Sequence, residues 1–171
     1  MVADFKRFCC IGLFSGFNLH QLTLIFDRIQ AIPVAKLETV LDSASKQIGL
    51  YFVIEGMVRV AHEVDRLDMP VTVLNPGDSF GEISMIEGGI PSARVQAEED
   101  SLLYFLPRQS FFDLVQSDPA LGATLWEALA RMLVGRVRRT NDTVRQYFMV
   151  NKALCENQKF REFYRLCQFG S

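Results

Sequence analysis

Long apolar runs are missing from this chain of 171 residues. Nothing approaches the roughly 18 consecutive apolar residues that a membrane-spanning helix needs, so no integral membrane segment is expected. The opening stretch MVADFKRFCCIGLFSGF carries the acidic Asp4 and has neither an extended apolar core nor a small-residue cleavage site. It lacks a secretory layout, and the expected location is the cytoplasm. Histidine is scarce: His20 and His62 are the two in the chain, far apart, with no carboxylate or thiol partner close in sequence. No HExxH, GxSxG or GxxxxGK[ST] pattern occurs, so neither a metal site nor a nucleophile–base pair is expected, and the chain does not read as an enzyme. The four cysteines, Cys9, Cys10, Cys155 and Cys167, make no CxxC spacing. They read as reduced thiols, buried or idle. A lipidated Cys9–Cys10 pair is the alternative. Repeats and low-complexity segments are absent too.

What is present is globular: 49% hydrophobic and 22% charged residues. A chain of this length buries about two thirds of its unfolded surface without needing metals or disulfides. The net charge of -2 says little, but its distribution says more. From Arg131 onward there are nine Lys/Arg against three Asp/Glu, whereas Glu38 to Asp100 is acidic. Such asymmetry marks an interaction surface.

Hydrophobic periodicity divides the chain into three regimes. Residues 1–32 read as helical. Leu19, Leu22, Ile25, Phe26 and Ile29 recur at three- and four-residue spacings behind Asn18 as N-cap, and Pro33 interrupts. From about Leu37 to Leu106 short strands and turns take over. GLYFVIEGMVRVAHEV gives a strand, a tight turn at Glu55-Gly56 and a second strand. VDRLDMP is a polar hairpin tip, and PVTVLNPGDSF is a strand that ends in a strong turn. SARVQAEEDSLLYFLP gives two more strands around an acidic turn. Strands at such regular spacing form a closed or rolled antiparallel sheet. From Gln109 the helical period returns, with Ser110 as a cap for FFDLVQSD and Pro119 in the first turn of the next helix. The stripe Trp126, Leu129, Ala130, Leu133, Val137, Thr140, Val144 and Phe148 crosses about six turns. A helix so long is expected to bury part of its stripe against a second copy of the chain; folding back on its own sheet is the alternative. Trp126 suits the core or that seam, although its ring could instead cap a purine.

The stretch with chemical content is PGDSFGEISMIEGGIPSARVQA, Pro76 to Ala97. Gly77 and Gly81 allow sharp turns. A short helix then starts at Gly81-Glu82-Ile83-Ser84 and stops at Gly88-Gly89. Amides at a helix start point outward and suit an anion, and a neighbouring carboxylate can accept from a sugar hydroxyl. The local chemistry therefore suits a sugar phosphate.

This segment resembles the phosphate-binding cassette of the cyclic-nucleotide-binding domain family, shared by catabolite-activator-like regulators, kinase regulatory subunits and gated channels. The likeness runs from about Leu13 to Phe148. It takes in LFSGFNLHQL, LYFVIEGMVRV, NPGDSFGE, FGEISMI, SARVQA, LLYFLPRQSFFDLV and ALARMLVGRVRRTND. It implies a mainly β fold with flanking helices: an antiparallel, jelly-roll-like β-roll of about eight strands, an N-terminal helical segment and a long C-terminal helix. The expected divisions are 1–36 for the helical lead-in, 37–108 for the roll, 109–150 for the C-terminal helices with a dimerisation helix, and 151–171 for a helical tail with Phe160, Phe163, Tyr164 and Leu166.

The resemblance also implies roles. Phe80 and Gly81 shape the cassette, and Glu82 accepts a ribose hydroxyl. The amides of Ile83 and Ser84, with Ser92 and Ala93, line the cyclic phosphate of cyclic AMP or cyclic GMP. One departure stands out. The family's phosphate arginine follows the cassette glutamate by nine or ten residues, where this chain has Pro91 and Ser92. Arg94 is the nearest substitute. Two readings stay open: it bends back beside Ser92, or it faces solvent and the pocket has lost its main charge. A charge-assisted hydrogen bond contributes roughly 1.5–3 kcal/mol, so its loss weakens binding by about one to two decades.

Two functions follow: a cyclic-nucleotide sensor that signals through a homodimer of the long helix, or a degenerate fold kept as a ligand-independent protein-interaction or dimerisation module. Arg136, Arg138 and Arg139 on that helix would face an anionic partner, or serve as a solvated surface. No helix-turn-helix is expected in the short stretch after Val150, and therefore no DNA partner.

Overall fold

A computed structural model describes residues 2–64 and 67–157 of the chain. Phe160, Phe163, Tyr164, Leu166 and Cys167 of the expected helical tail, and Asp65-Arg66 of the expected hairpin tip, lie outside the described residues. The chain divides into two compact units, one running to Leu129 and one beginning at Ala130.

The first unit opens with helix α1 (Val2–Cys9), a single 3-10 turn (Gly12–Phe14) and helix α2 (Leu19–Phe26). Asn18 caps α2 as expected: its Oδ1 accepts from the Gln21 amide at 2.9 Å, while Gln21 Oε1 accepts from the Asn18 amide at 3.1 Å. This reciprocal pair satisfies two donors that the helix itself cannot.

Eight strands follow among the described residues: β1 (Gln30–Val34), β2 (Thr39–Leu41), β3 (Gly49–Glu55), β4 (Val58–Val64), β5 (Leu67–Leu74), β6 (Ser79–Phe80), β7 (Arg94–Ala97) and β8 (Ser101–Pro107). They form two antiparallel four-stranded sheets, ordered β1-β8-β3-β6 and β2-β7-β4-β5. This is the expected roll. The turn at Glu55-Gly56 carries the chain from one sheet to the other, and the β7–β8 connection does the same.

The structure differs from the sequence expectation at the front edge. Strand pairing begins at Gln30 instead of after residue 36, with Pro33 inside β1 opposite Leu102. Proline is tolerated there because β1 is an edge strand with one neighbour.

Residues alternate along each strand, so every sheet has two faces. The inner faces meet in one cluster of Val34, Leu41, Tyr51, Val53, Val58, Phe80, Val95, Ala97, Leu103 and Phe105. The other face of β3 and β8 carries Phe52 and Tyr104, which meet Phe8, Phe14 and Phe26 with ring centroids 5.2–6.5 Å apart. Aromatic pairs of this kind contribute about 0.5–1.5 kcal/mol each beyond simple burial, so they bind the N-terminal helices to the sheet.

Helix α4 (Arg108–Ser117) and the start of helix α5 (Pro119–Glu156) complete this unit, burying Phe111, Leu114, Leu121, Leu125 and Leu129. Ser110 is not the cap of α4. The helix begins two residues earlier, behind Pro107, with no side-chain cap. Pro119 does open α5, and Asp118 Oδ1 accepts from the amides of Ala120 and Leu121, each at 3.0 Å.

The second unit holds the rest of α5. Its apolar residues are largely exposed: Val137 by 58%, Val144 by 60% and Phe148 by 66%. None of the described helices is long and apolar enough to cross a membrane.

Candidate functional site

The cassette is built on β3. The turn before it is closed by the Asp78 amide donating to Asn75 O at 3.0 Å and by Asp78 Oδ2 accepting from the Asn75 amide at 2.9 Å. Gly77 donates to Val53 O, and Val53 donates to Asp78 O, both at 2.9 Å, so the turn is pinned to β3. Strand β6 then pairs Phe80 with Tyr51. Their rings stack with centroids 5.0 Å apart and planes 8° from parallel, and Phe105 lies 4.5 Å from Tyr51 on the ring's other contact. Burial pushes the Tyr51 hydroxyl up to about 12.

Gly81 follows with φ +86, and a Cβ on it would lie 2.5 Å from Gly49 O and 3.1 Å from Tyr51 Cδ2. Both the left-handed backbone and the close approach to β3 require glycine. Helix α3 (Glu82–Glu87) starts here. Its ladder begins with the Met85 amide donating to Gly81 O at 3.0 Å, so the amides of Glu82, Ile83 and Ser84 precede that ladder. The Ser84 hydroxyl also donates to Gly81 O, at 3.1 Å.

Phe80, Glu82 and Ser84 are buried, Glu82 to 3% exposure, while Ile83 is 41% exposed. A carboxylate so deep is costly unless its surroundings supply polar contacts. Glu82 is held by interactions of its own, although its Oε2 atom is buried and accepts no hydrogen bond. Ser92 and Ala93 precede β7, and Ser92 is exposed. The alternation of a strand therefore does not extend back to them, and Arg94 is the first strand residue.

Val95 and Ala97 point into the core, which places Arg94 and Gln96 on the outer face of their sheet. There Arg94 Nη2 donates to Thr39 Oγ1 of β2 at 3.1 Å. Asp42 nearby sits below its usual carboxylate range, held first by the Ser45 hydroxyl, then by the Ala44 amide, with a smaller attraction from Arg94.

Arg138 and Arg139 are exposed and Arg136 is half-buried, all three on the stretch of α5 beyond Ala130. Among the described residues no group of three or more His, Cys, Asp or Glu is placed to hold a metal ion.

Sequence reasoning missed one participant. Arg108, the first residue of α4, sends Nε to Met85 O of the cassette helix at 2.8 Å. Its guanidinium lies over the Phe112 ring, 4.6 Å from the centroid. Nothing local in PRQSFF signals a partner so far back in the chain. Trp126, left open between core, seam and base cap, packs edge-on against Phe111 and Phe112 at 5.2 and 6.0 Å.

Comparison with known proteins points to one family. The profile described as "Cyclic nucleotide-binding domain" matches residues 33–118, half of the chain. The "CRP-like cAMP-activated global transcriptional regulator" of Mycobacterium tuberculosis is 23% identical over 134 residues, 78% of this chain and 58% of that protein. The "Cyclic AMP receptor protein" of Thermus thermophilus is 34% identical over 86 residues, 50% of this chain and 40% of that protein. The chain thus spans well under two thirds of the length of these relatives. A solved cyclic nucleotide-binding domain from Methylobacillus flagellatus superposes with a TM-score of 0.77 at 21% identity, covering 85% of this chain and 84% of that one; that likeness is one of fold.

Proposed function

Because this chain belongs to the cyclic nucleotide-binding domain family, we propose that it is a regulatory module, not a catalyst, whose cassette takes a cyclic nucleotide of the cyclic AMP or cyclic GMP class. The observation that carries the reading is the wedge at Gly81, which turns the chain against β3 and sets the buried Glu82 at the first turn of α3. Glu82 would accept the ribose hydroxyl, Phe80 and Gly81 would shape the seat, and the amides of Ile83 and Ser84 would meet the phosphate with Ser92 and Ala93 beside it. The named relatives are described as cAMP-activated and as a cyclic AMP receptor, which supports the ligand class. A cytoplasmic site fits the free thiols Cys9 and Cys10.

With Arg94 donating to Thr39, phosphate recognition would fall mainly to backbone amides, so affinity should be weak. Calorimetry with cyclic AMP and cyclic GMP tests this directly. Binding should be lost in Glu82→Ala and strengthened about ten- to a hundredfold in Ser92→Arg, which restores a cation at the spacing the family uses. No heat from either protein at millimolar nucleotide would remove the ligand role.

The signal would pass to a second copy through α5. The stretch beyond Ala130 reads as heptads, with Ala130, Val137, Val144 and Asn151 at a and Leu133, Thr140, Tyr147 and Leu154 at d. β-Branched residues at a favour two strands, and a lone Asn at a fixes register in a parallel pair. A ligand can act through such a helix only by binding its two arrangements unequally.

The Arg94–Thr39 bond also supports a second reading, a dimer that needs no ligand and offers Arg136, Arg138 and Arg139 to an anionic partner. It predicts a dimer indifferent to nucleotide. Reversing charge at Arg138 and Arg139 should then abolish partner capture.

A further inference from the structure

We infer that Arg108 is the positioning residue that couples the cassette helix to the junction of α4 and α5, so that a displacement of one is felt by the other. The inference rests on the cassette being the ligand seat, as proposed above, and goes beyond it by naming what carries the signal out.

The main chain of Arg108 is fixed. Its amide donates to Ile48 O at 2.9 Å, and the preceding Pro107 is in register with Gly49 of β3. The side chain touches α3 at two points and its own helix α4 at one. Nε donates to Met85 O at 2.8 Å, a carbonyl in the last turn of α3. The guanidinium carbon Cζ lies over the Phe112 ring, 4.6 Å from its centroid. Gly88, the left-handed cap of α3 at φ +73, comes so close that a Cβ there would lie 3.3 Å from Nη2. Phe112 in turn meets the edge of Trp126 on α5, which also meets Phe111.

The geometry leaves α3 little freedom to move alone. Of its last-turn carbonyls, Ser84 O accepts from the Gly88 cap amide and Met85 O accepts from Arg108. If the last turn shifts, either the bond to Met85 O breaks or the guanidinium is drawn across the Phe112 ring. The second course displaces the ring on which Trp126 packs. Lysine cannot substitute, because its single ammonium cannot both donate from the Nε position to Met85 O and keep a guanidinium carbon over the Phe112 ring. Coupling between the two is a free energy, which a mutant cycle measures.

Trp126 is the single tryptophan of the chain, and its quenching by acrylamide reports on the junction alone. In the full chain, Gly88→Ala presses on the guanidinium and strains the cap. It should change Trp126 quenching when Arg108 is present and leave it unchanged in Arg108→Met and Arg108→Lys. The same change in all three backgrounds would overturn the inference, as would full coupling through Arg108→Lys. If Gly88→Ala does not fold, the reverse direction serves, since coupling is reciprocal. Phe112→Leu should speed hydrogen exchange of the Gly88 amide, which donates to Ser84 O at 2.8 Å, and should do so only with Arg108 in place. An equal effect in Arg108→Met overturns the inference.

Cyclic AMP separates this inference from the reading beneath it. An intact cycle with no binding heat leaves the strut and removes the ligand seat. Binding heat with Trp126 quenching unmoved in wild type and in every variant keeps the seat and removes the strut.

Discussion

Leu37 stands at φ +67 between β1 and β2 with its side chain 61% exposed. A left-handed leucine costs of order 1–2 kcal/mol, and this one is held there by its surroundings. Its amide donates to Ala97 O at 2.9 Å, and its carbonyl accepts from Gln96 Nε2 at 2.8 Å. Glycine would relieve the strain at an entropic cost of about 0.5–1 kcal/mol, and no core contact is lost. Leu37→Gly should therefore raise the urea midpoint slightly, by up to about 1 kcal/mol of stability, and β-branched Leu37→Val should lower it. Tyr51 gives a second residue-scale test. Its hydroxyl is raised to about 12 in the fold, from the ordinary 10, by burial. Above pH 10 the unfolded chain releases this proton and the folded chain keeps it. Unfolding thus becomes easier as pH rises from 10 to 12, while below pH 10 this contribution is fully present. Urea titrations across that window should show a loss that Tyr51→Phe lacks; an identical loss in Tyr51→Phe would assign it to another group.

At the scale of elements, legibility followed locality. The N-cap at Asn18, the start of α5 at Pro119 and the Gly81–Glu82 step could be read because each depends on residues a few positions apart. Strand β1 could not, because its partner β8 lies some seventy residues on and Pro33 argues locally against a strand. Nor could the direction of Arg94 be read. Parity along a strand says nothing until the strand's first residue is known, and Ser92 falls before it. The Arg108–Met85 contact was invisible for the same reason as β1: its partner is brought by the fold, and neither neighbour advertises it. Helix α5 offers a test where local pattern and tertiary demand should agree. If Asn151 keys a two-stranded seam, Asn151→Val should give a more thermostable assembly that also populates higher oligomers, because the polar layer costs stability while it specifies register. Sedimentation velocity reads both effects, and an unchanged distribution would place Asn151 outside the seam.

At the scale of the whole molecule, the boundary between Leu129 and Ala130 separates two sources of stability. The first unit is held by its own core, with Leu121, Leu125 and Leu129 each at or below 1% exposure. The stretch of α5 that follows keeps Val137, Val144, Tyr147 and Leu154 exposed within one chain. Most helical stability in proteins comes from packing an apolar face, so in the proposed dimer this stretch would draw its own from a second copy. Mass action then makes its helicity depend on concentration, while the first unit is indifferent to dilution. Across a dilution series, ellipticity at 222 nm should fall first and Trp126 emission should hold. Heating at low concentration should likewise separate an early helical loss from a later change at Trp126, whereas high concentration should bring the two together. Coincident transitions at every concentration would mean that the exposed half of α5 is stable without a partner, and the dimer route for the signal would fail with it.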